Sequence, residues 1–154
     1  MSADLTPLTP GDLLLTPGDL LFEKTVTVDR ARLVRYAGAS GDFNPIHWNE
    51  RFARAVGLDG VIAHGMLTMG IAAGVLEEWV GDPGRIVSYS TRFSRPVPVP
   101  DPGEAELTVT GTVGAVEEDG TVRVDLGVTC NGRGVLAKAQ ALIAVARAPR
   151  FPVR

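Results

Sequence analysis

Hydrophobic and polar residues alternate strictly along the second half of the chain, which is the pattern of strands with one buried face. In the segment 106–116, one side carries apolar residues and the other polar ones, namely Leu107, Val109 and Val113 against Glu106, Thr108, Thr110 and Thr112. The segment 121–130 alternates again, and turn sequences at 117–120 and 131–134 flank it. These segments predict neighbouring antiparallel strands that are joined by tight turns.

Besides the segments 106–116 and 121–130, three further strands are predicted, at residues 21–28, 85–97 and 135–146. In the first of them, the residues that share one face are Phe22, Lys24, Val26 and Val28. A proline-rich connection at 97–103 follows the second, and its prolines exclude a central strand there.

Three helices are predicted between the first strand and the later ones, at residues 29–38, 49–57 and 64–80. The residues expected to cap the starts of the first two are Asp29 and Asn49, and the glycines expected to end them are Gly38 and Gly57. In the first helix, the residues expected to share a face are Leu33, Tyr36 and Ala37.

The third helix is apolar almost all round for its first three turns, which predicts a buried rather than a half-exposed position. Gly70 and Gly74 lie four residues apart and permit close approach of a neighbouring backbone. The sequence GDPG at 81–84 is expected to end this helix. The order of elements predicts an α+β fold, in which one curved antiparallel sheet wraps around the apolar helix.

Composition and charge narrow the possible classes of protein. The 154 residues suggest one domain with a substantial core, and the net charge of -3 argues against a nucleic-acid or anionic-membrane surface. No apolar run approaches the ~20 residues of a membrane span, and the N-terminus lacks the pattern of a signal peptide. The single cysteine, Cys130, forms no internal disulfide, so we expect a reducing, cytoplasmic setting.

A short duplication marks the N-terminus, because LTPGDLL occurs at residues 8–14 and again at 15–21. Two copies of seven residues are too few and too short for a solenoid repeat. We therefore expect a leader over 1–17 with two Pro-Gly turns, a single domain over 18–147 and a loose basic tail over 148–154.

The candidate chemistry centres on SGDFNPIHWN, residues 40–49, where Asp42 and His47 lie five positions apart. Pro45 disfavours helical geometry at Asn44, so the chain must turn there and can bring both side chains to one point. Asn44 is suited to brace the turn by bonding to backbone, and Gly41 permits backbone conformations that other residues resist. A carboxylate and an imidazole that converge can share a water for general acid–base catalysis. The alternative is an ordinary polar turn with a structural histidine.

A second candidate is the start of the third helix, at His64 and Gly65. The first amides of a helix are unpaired and carry its positive dipole end, so the Gly65 N–H can stabilise negative charge on a carbonyl oxygen. The simpler alternatives are packing for Gly65 and a hydrogen bond at the helix start for His64, and we favour the structural role for His64.

Other chemistries find little support in the sequence. Ser40 lies near the pair, but no G-x-S-x-G elbow is present. The spacing of the two histidines and Asp42 is not a recognised zinc pattern, so we expect no metal. No glycine-rich phosphate loop follows a strand, so we expect no nucleotide cofactor.

These residues carry a resemblance to a known family. The run YAGASGDFNPIH from Tyr36, together with AHGMLTMG from Ala63, resembles the MaoC-like dehydratases and (R)-specific enoyl-CoA hydratases. Within them, the chain is most similar to the catalytic beta-type subunit of actinobacterial (3R)-hydroxyacyl-ACP dehydratases. The resemblance covers roughly residues 18 to 146 and excludes only the duplicated leader and the basic tail.

The resemblance implies a hotdog fold and a dimer, either of two copies or with a related alpha-type subunit that lacks the catalytic pair. It implies that Asp42 and His47 hold a catalytic water and that the Gly65 amide holds a thioester oxygen. Asn44 and, more weakly, Ser40 would orient the loop, while Gly65 and Met66 would contact the substrate.

The expected activity is reversible syn dehydration of (3R)-hydroxyacyl thioesters to trans-2-enoyl thioesters, on CoA or on acyl carrier protein. Three arginines are candidates to face CoA phosphates or an acidic carrier, unless they are simply solvated, namely Arg85, Arg92 and Arg95. The alternatives are a hotdog acyl-thioesterase and a non-catalytic partner subunit, and the intact Asp42 and His47 pair argues against the second.

Overall fold

A computed structural model describes residues 15–144 of the chain. The strands are β1 (Leu20–Val28), β2 (Ile86–Phe93), β3 (Ala105–Val116), β4 (Thr121–Cys130), β5 (Arg133–Gly134) and β6 (Leu136–Ala144). The helices are α1 (Arg30–Ser40), α2 (Glu50–Ala55) and α3 (Gly65–Val80). Short 3-10 turns span Pro45–His47 and Pro83–Arg85.

The strands form one antiparallel sheet in the order β1-β3-β4-β6-β2, with β5 paired to β4. The alternating segments pair as predicted, with Val109 opposite Val128 and Val113 opposite Val124. The proline-rich connection carries the chain from β2 at one edge to β3 next to the other edge. On the way, Pro98 makes an isolated bridge with Ile62, which ties the connection to the segment before α3.

The hydrophobic core lies between the inner face of the sheet and α3. The strand residues Leu107, Val109 and Val124 are fully buried, as the alternation predicted. On α3, the buried apolar residues include Leu76 and Trp79, and the Trp79 ring lies 5.7 Å from that of Phe22 on β1. The predicted α+β architecture, a curved sheet around one apolar helix, is confirmed.

One face of α3 is not covered by any part of residues 15–144, contrary to the prediction of a helix buried all round. Met66 is 57% exposed, Gly70 is exposed, and Ala73 and Gly74 are partly exposed. The sequence is apolar on both faces, but a single sheet covers only one of them. The uncovered face is thus an apolar surface of the described part of the chain.

The end of α1 also differs from the prediction. Gly38 lies inside the helix, and Gly41 ends it, with φ of 76° and an N–H that donates to the carbonyl oxygen of Ala37. A positive φ at the residue after the last helical turn is the usual role of glycine at a C-terminus, and only Gly41 adopts it here. The helix therefore runs directly into the candidate motif.

Some predicted boundaries shift and others lie outside the described residues. The strand predicted over 85–97 is shorter, and β5 was not predicted. The second Pro-Gly turn forms before β1, whereas the first copy of the duplication and the basic tail fall in 1–14 and 145–154. Within residues 15–144, no helix is long and apolar enough to cross a membrane.

The new helix boundary makes Gly38→Ala a test of this region. Gly38 is exposed and has no atom within 4 Å of an added Cβ, so alanine should stabilise the fold by about 0.5–1 kcal/mol through its higher helix propensity. Gly41→Ala should instead destabilise it by about 1–2 kcal/mol, because the left-handed conformation penalises a Cβ. Urea unfolding of both variants measures these changes. Equal effects of the two substitutions would contradict the observed helix end.

Candidate active site

The motif after α1 folds as a turn held by its own side chains. The Ser40 hydroxyl accepts from the Asp42 N–H at 3.2 Å, and Asp42 Oδ1 accepts from the Asn44 N–H at 3.2 Å. Asn44 Oδ1 in turn accepts from the Ile46 N–H at 3.3 Å and caps the short 3-10 turn that Pro45 begins. Asn44 and Ser40 thus each accept a backbone N–H bond within the turn, which is compatible with the predicted orienting role.

His47 is buried beneath this turn, with 7% of its surface exposed. Its Nδ1 lies 2.7 Å from the carbonyl oxygen of Ile62, and because a carbonyl can only accept, Nδ1 carries the proton. In the neutral ring, Nε2 therefore presents its lone pair. Nε2 faces Asp42 Oδ2 at 3.9 Å, so the turn brings together the two side chains that the sequence singled out.

The surroundings of His47 favour its neutral form. Burial lowers the pKa of His47 below its ordinary value of about 6.5, and repulsion from His64 lowers it further. The hydrogen bond to the Ile62 carbonyl and the nearby Asp42 carboxylate act in the opposite direction, but the pKa remains lowered. At neutral pH, His47 is therefore a neutral base with its free nitrogen directed towards the carboxylate.

Gly65 is the first residue of α3 and lines a cavity of about 370 Å³ together with His47. The rest of the lining is mainly apolar and includes Phe93, Val97, Val135 and Leu136. An added Cβ at Gly65 would lie 3.1 Å from the Phe93 ring, so the glycine lets the ring lie close to the start of the helix. The first amide of α3 therefore shares the cavity with the His47 ring, as the oxyanion prediction requires.

The side chain of His64 does not make the helix-start hydrogen bond that the sequence analysis favoured. It makes no capping bond, although the residue occupies the N-cap position of α3. Instead, Nε2 donates to the backbone carbonyl oxygen of Asp42 at 3.0 Å, and the ring stacks on His47 with centroids 3.7 Å apart. A hydrogen bond between residues 22 positions apart leaves no local sequence signal.

The side-chain donors of Asp42, His47 and His64 all lie within 4.8 Å of one another, which raises the question of a metal ion. A histidine binds a metal in the plane of its ring. The rings of His47 and His64 are stacked, with an interplanar angle of 23°. An ion in the plane of one ring would therefore lie well outside the plane of the other ring. The stacked pair thus does not fit a shared ion.

Met66 and the three candidate arginines do not share one position relative to the cavity. Met66 is exposed and is not part of the cavity lining, whereas Arg95 is. Arg92 is exposed. Arg85 is 8% exposed and donates to the Ala144 carbonyl oxygen at 2.9 Å, so it fits neither alternative given for it, a contact with CoA or a carrier or a solvated side chain. Phe93 was not predicted, because a single aromatic residue near the end of a strand gives no sign of what it faces.

Comparison with known proteins agrees with this geometry. The chain is 40% identical over 88 residues to the (R)-specific enoyl-CoA hydratase of Rhodospirillum rubrum, which covers 56% of this chain and 61% of that protein. It is 31% identical over 120 residues to the 3-hydroxybutyryl-CoA dehydratase of Methylorubrum extorquens, covering 77% of this chain and 73% of that protein. A solved structure described as a MaoC-like dehydratase superposes with a TM-score of 0.83 at 37% identity.

These similarities differ in how much of each protein they cover. The chain spans 61% of the hydratase and 42% of the solved dehydratase, while the alignment with the solved dehydratase includes 90% of this chain. The family model for the MaoC like domain matches residues 16–131, which include the Asp42 turn, His47 and the start of α3. The chain therefore belongs to the MaoC-like domain family and has its hotdog fold.

Proposed function

We propose that the protein is a hydro-lyase that interconverts trans-2-enoyl and (3R)-hydroxyacyl thioesters of CoA or acyl carrier protein by syn addition and loss of water. The observation that carries this proposal is the pair of Asp42 Oδ2 and His47 Nε2, which face each other at 3.9 Å. His47 of this pair lines the same cavity as Gly65. The named relatives, a hydratase and a dehydratase of CoA thioesters, support the same reaction class.

The separation of the pair suits a bridging water. The carboxylate accepts hydrogen bonds and the free nitrogen of neutral His47 also accepts, so the two groups do not bond to each other directly. A water between them donates one hydrogen to each and keeps a lone pair for attack. A gap longer than 3.5 Å between polar atoms is the distance at which a bridging water is expected.

In hydration, the oxygen of this water bonds to C3 of the enoyl thioester as the C2–C3 double bond breaks. The pair takes one proton from the water and returns a proton to C2, so the protons balance and the pair is restored. Because Asp42 Oδ2 and His47 Nε2 share one bridging water, the hydroxyl and the proton are both added on the same face of the substrate. The two groups act here as one coupled acid–base unit.

The Gly65 N–H stabilises the intermediate charge. As C3 gains oxygen, negative charge develops on the thioester carbonyl oxygen, and a helix-start amide is suited to bind it. The lining of the cavity is mainly apolar, including Val97 and Val135, and an apolar surrounding strengthens this interaction. The same amide and carboxylate would also suit a thioesterase. The experiment must therefore distinguish hydration of the double bond from release of free thiol.

We further propose that two copies of the chain associate through β2 and the uncovered face of α3. β2 is an edge strand of the sheet, and its Val87 and Phe93 are 61% and 53% exposed. Exposed apolar residues next to an unpaired strand edge favour pairing with another sheet. A related subunit in place of the second copy is the alternative for this surface.

Substitution of the acid–base pair tests the proposed activity. Asp42→Asn and His47→Gln should each lower kcat for hydration of a short trans-2-enoyl-CoA by about 100-fold or more, since each removes a proton-transfer group. The loss of the enoyl thioester absorbance measures the rate. Asp119→Asn, in the exposed β3–β4 turn, serves as the control and should leave the rate unchanged.

Near-normal turnover in both variants would reject the assignment of the pair. A thiol-trapping assay on a saturated acyl-CoA, run in parallel, should show no release of free CoA. Fast release with no hydration would identify a thioesterase instead.

The association of two copies has its own test. Light scattering should give twice the 16.3 kDa mass of the chain, and Val87→Arg should shift the protein towards monomer by placing a charge at the interface. Val34→Arg, at a residue of α1 that is similarly exposed (59%), is the matched control and should keep the dimer. A monomer at micromolar to millimolar concentrations of unsubstituted protein would contradict a homodimer.

A further inference from the structure

His64 contacts each of the parts that make up the candidate site. It precedes Gly65 in the chain, its ring stacks on His47, and its Nε2 bonds to the backbone of Asp42. Its outer side meets Tyr36 of α1 edge-on, with ring centroids 4.8 Å apart. With 2% of its surface exposed, it is among the most deeply buried polar residues of the described chain.

The bond to Asp42 is unlike the other hydrogen bonds of the turn. Residues 41–44 are all exposed, and within the described chain their remaining hydrogen bonds reach no further than five positions along the sequence. Local bonds set the shape of the turn, and a bond from the Ile62 N–H to the Ile46 carbonyl oxygen, at 3.2 Å, ties its last residues to the segment before α3. The bond from His64 to the Asp42 carbonyl oxygen ties the turn to the start of α3, 22 residues away.

The ring of His64 has a defined tautomer. Its Nε2 must carry the proton, because the partner is a carbonyl oxygen. Its Nδ1 is buried and has no hydrogen-bond partner among the described residues. Burial of an unpaired polar atom costs free energy, which the other contacts of the ring must offset. His64 is not among the residues that line the cavity, and with its side chain buried it presents almost no surface to a substrate.

We propose, as an extension of the function argued above, that His64 is a positioning residue that sets the gap between Asp42 Oδ2 and His47 Nε2. Its Nε2–H holds the Asp42 backbone, and its face fixes the plane of the His47 ring. The titratable groups that surround it are Asp42, His47 and Tyr36. The two histidines therefore hold opposite tautomers, with the proton of His47 on Nδ1 and that of His64 on Nε2.

Two substitutions separate the hydrogen bond from the packing. His64→Phe keeps an aromatic ring against His47 but removes the donor, and it should lower kcat about 10- to 100-fold with little change in KM, because misplacement of a reacting group by about 1 Å costs that much. His64→Gln can place an amide N–H where Nε2 lies, so it should recover a large part of the lost kcat. The turnover assay with a short trans-2-enoyl-CoA measures both.

A readout without turnover keeps the inference separate from the proposed function. The chain contains two histidines, so NMR of isotope-labelled imidazole nitrogens should show a proton on Nδ1 of one ring, His47, and on Nε2 of the other, His64. Amide hydrogen exchange at residues 42–44 should accelerate in His64→Phe and stay near that of the unsubstituted protein in His64→Gln. These results stand even if the protein hydrates no enoyl thioester.

Several results would overturn the positioning role. One is a proton on Nδ1 of His64 in the unsubstituted protein, which remains measurable if His64→Phe fails to fold. Another is His64→Phe with an unchanged kcat, or with a loss expressed mainly in KM. A third is His64→Gln that folds normally but is as slow as His64→Phe, since restoring the donor would then have had no effect.

Discussion

The packing of α3 against the inner face of the sheet is the constraint on which the site depends. Leu76 and Trp79 anchor the helix in the core, and this fixes the position of the first turn relative to β2 and to the proline-rich connection. Gly65 then lies against Phe93 at the cavity. An amide can stabilise developing charge only if its position is set before the reaction, and burial of the helix sets it.

Further contacts hold Asp42 and His47 beside the start of this helix. The Ile62 carbonyl, just before α3, fixes the proton of His47 on Nδ1 and turns Nε2 towards Asp42. Burial lowers the pKa of His47, which keeps that nitrogen free at neutral pH. The neutral state of His47 thus follows from its burial, and its tautomer from the Ile62 carbonyl, rather than from a strong ion pair, since Asp42 and His47 are too far apart for a direct hydrogen bond.

The sequence predicted what local rules decide. Alternation located β3 and β4, and Pro45 explained how residues five apart could meet. It failed where distant contacts decide the outcome. Gly38 was predicted to end α1, and only the positive φ at Gly41 shows that the helix ends there instead. The His64 contact with Asp42, the order of strands and the uncovered face of α3 all depend on parts of the chain, or of a partner, that no local pattern records.

The central claim is that Asp42 and His47 act together from one side of the bound substrate. Hydration of a trans-2-enoyl-CoA in deuterated water, followed by NMR of the product, tests it most directly. The account predicts one deuteron at C2 on the same face as the new hydroxyl at C3. A deuteron on the opposite face would contradict a pair that both delivers the water and returns the proton.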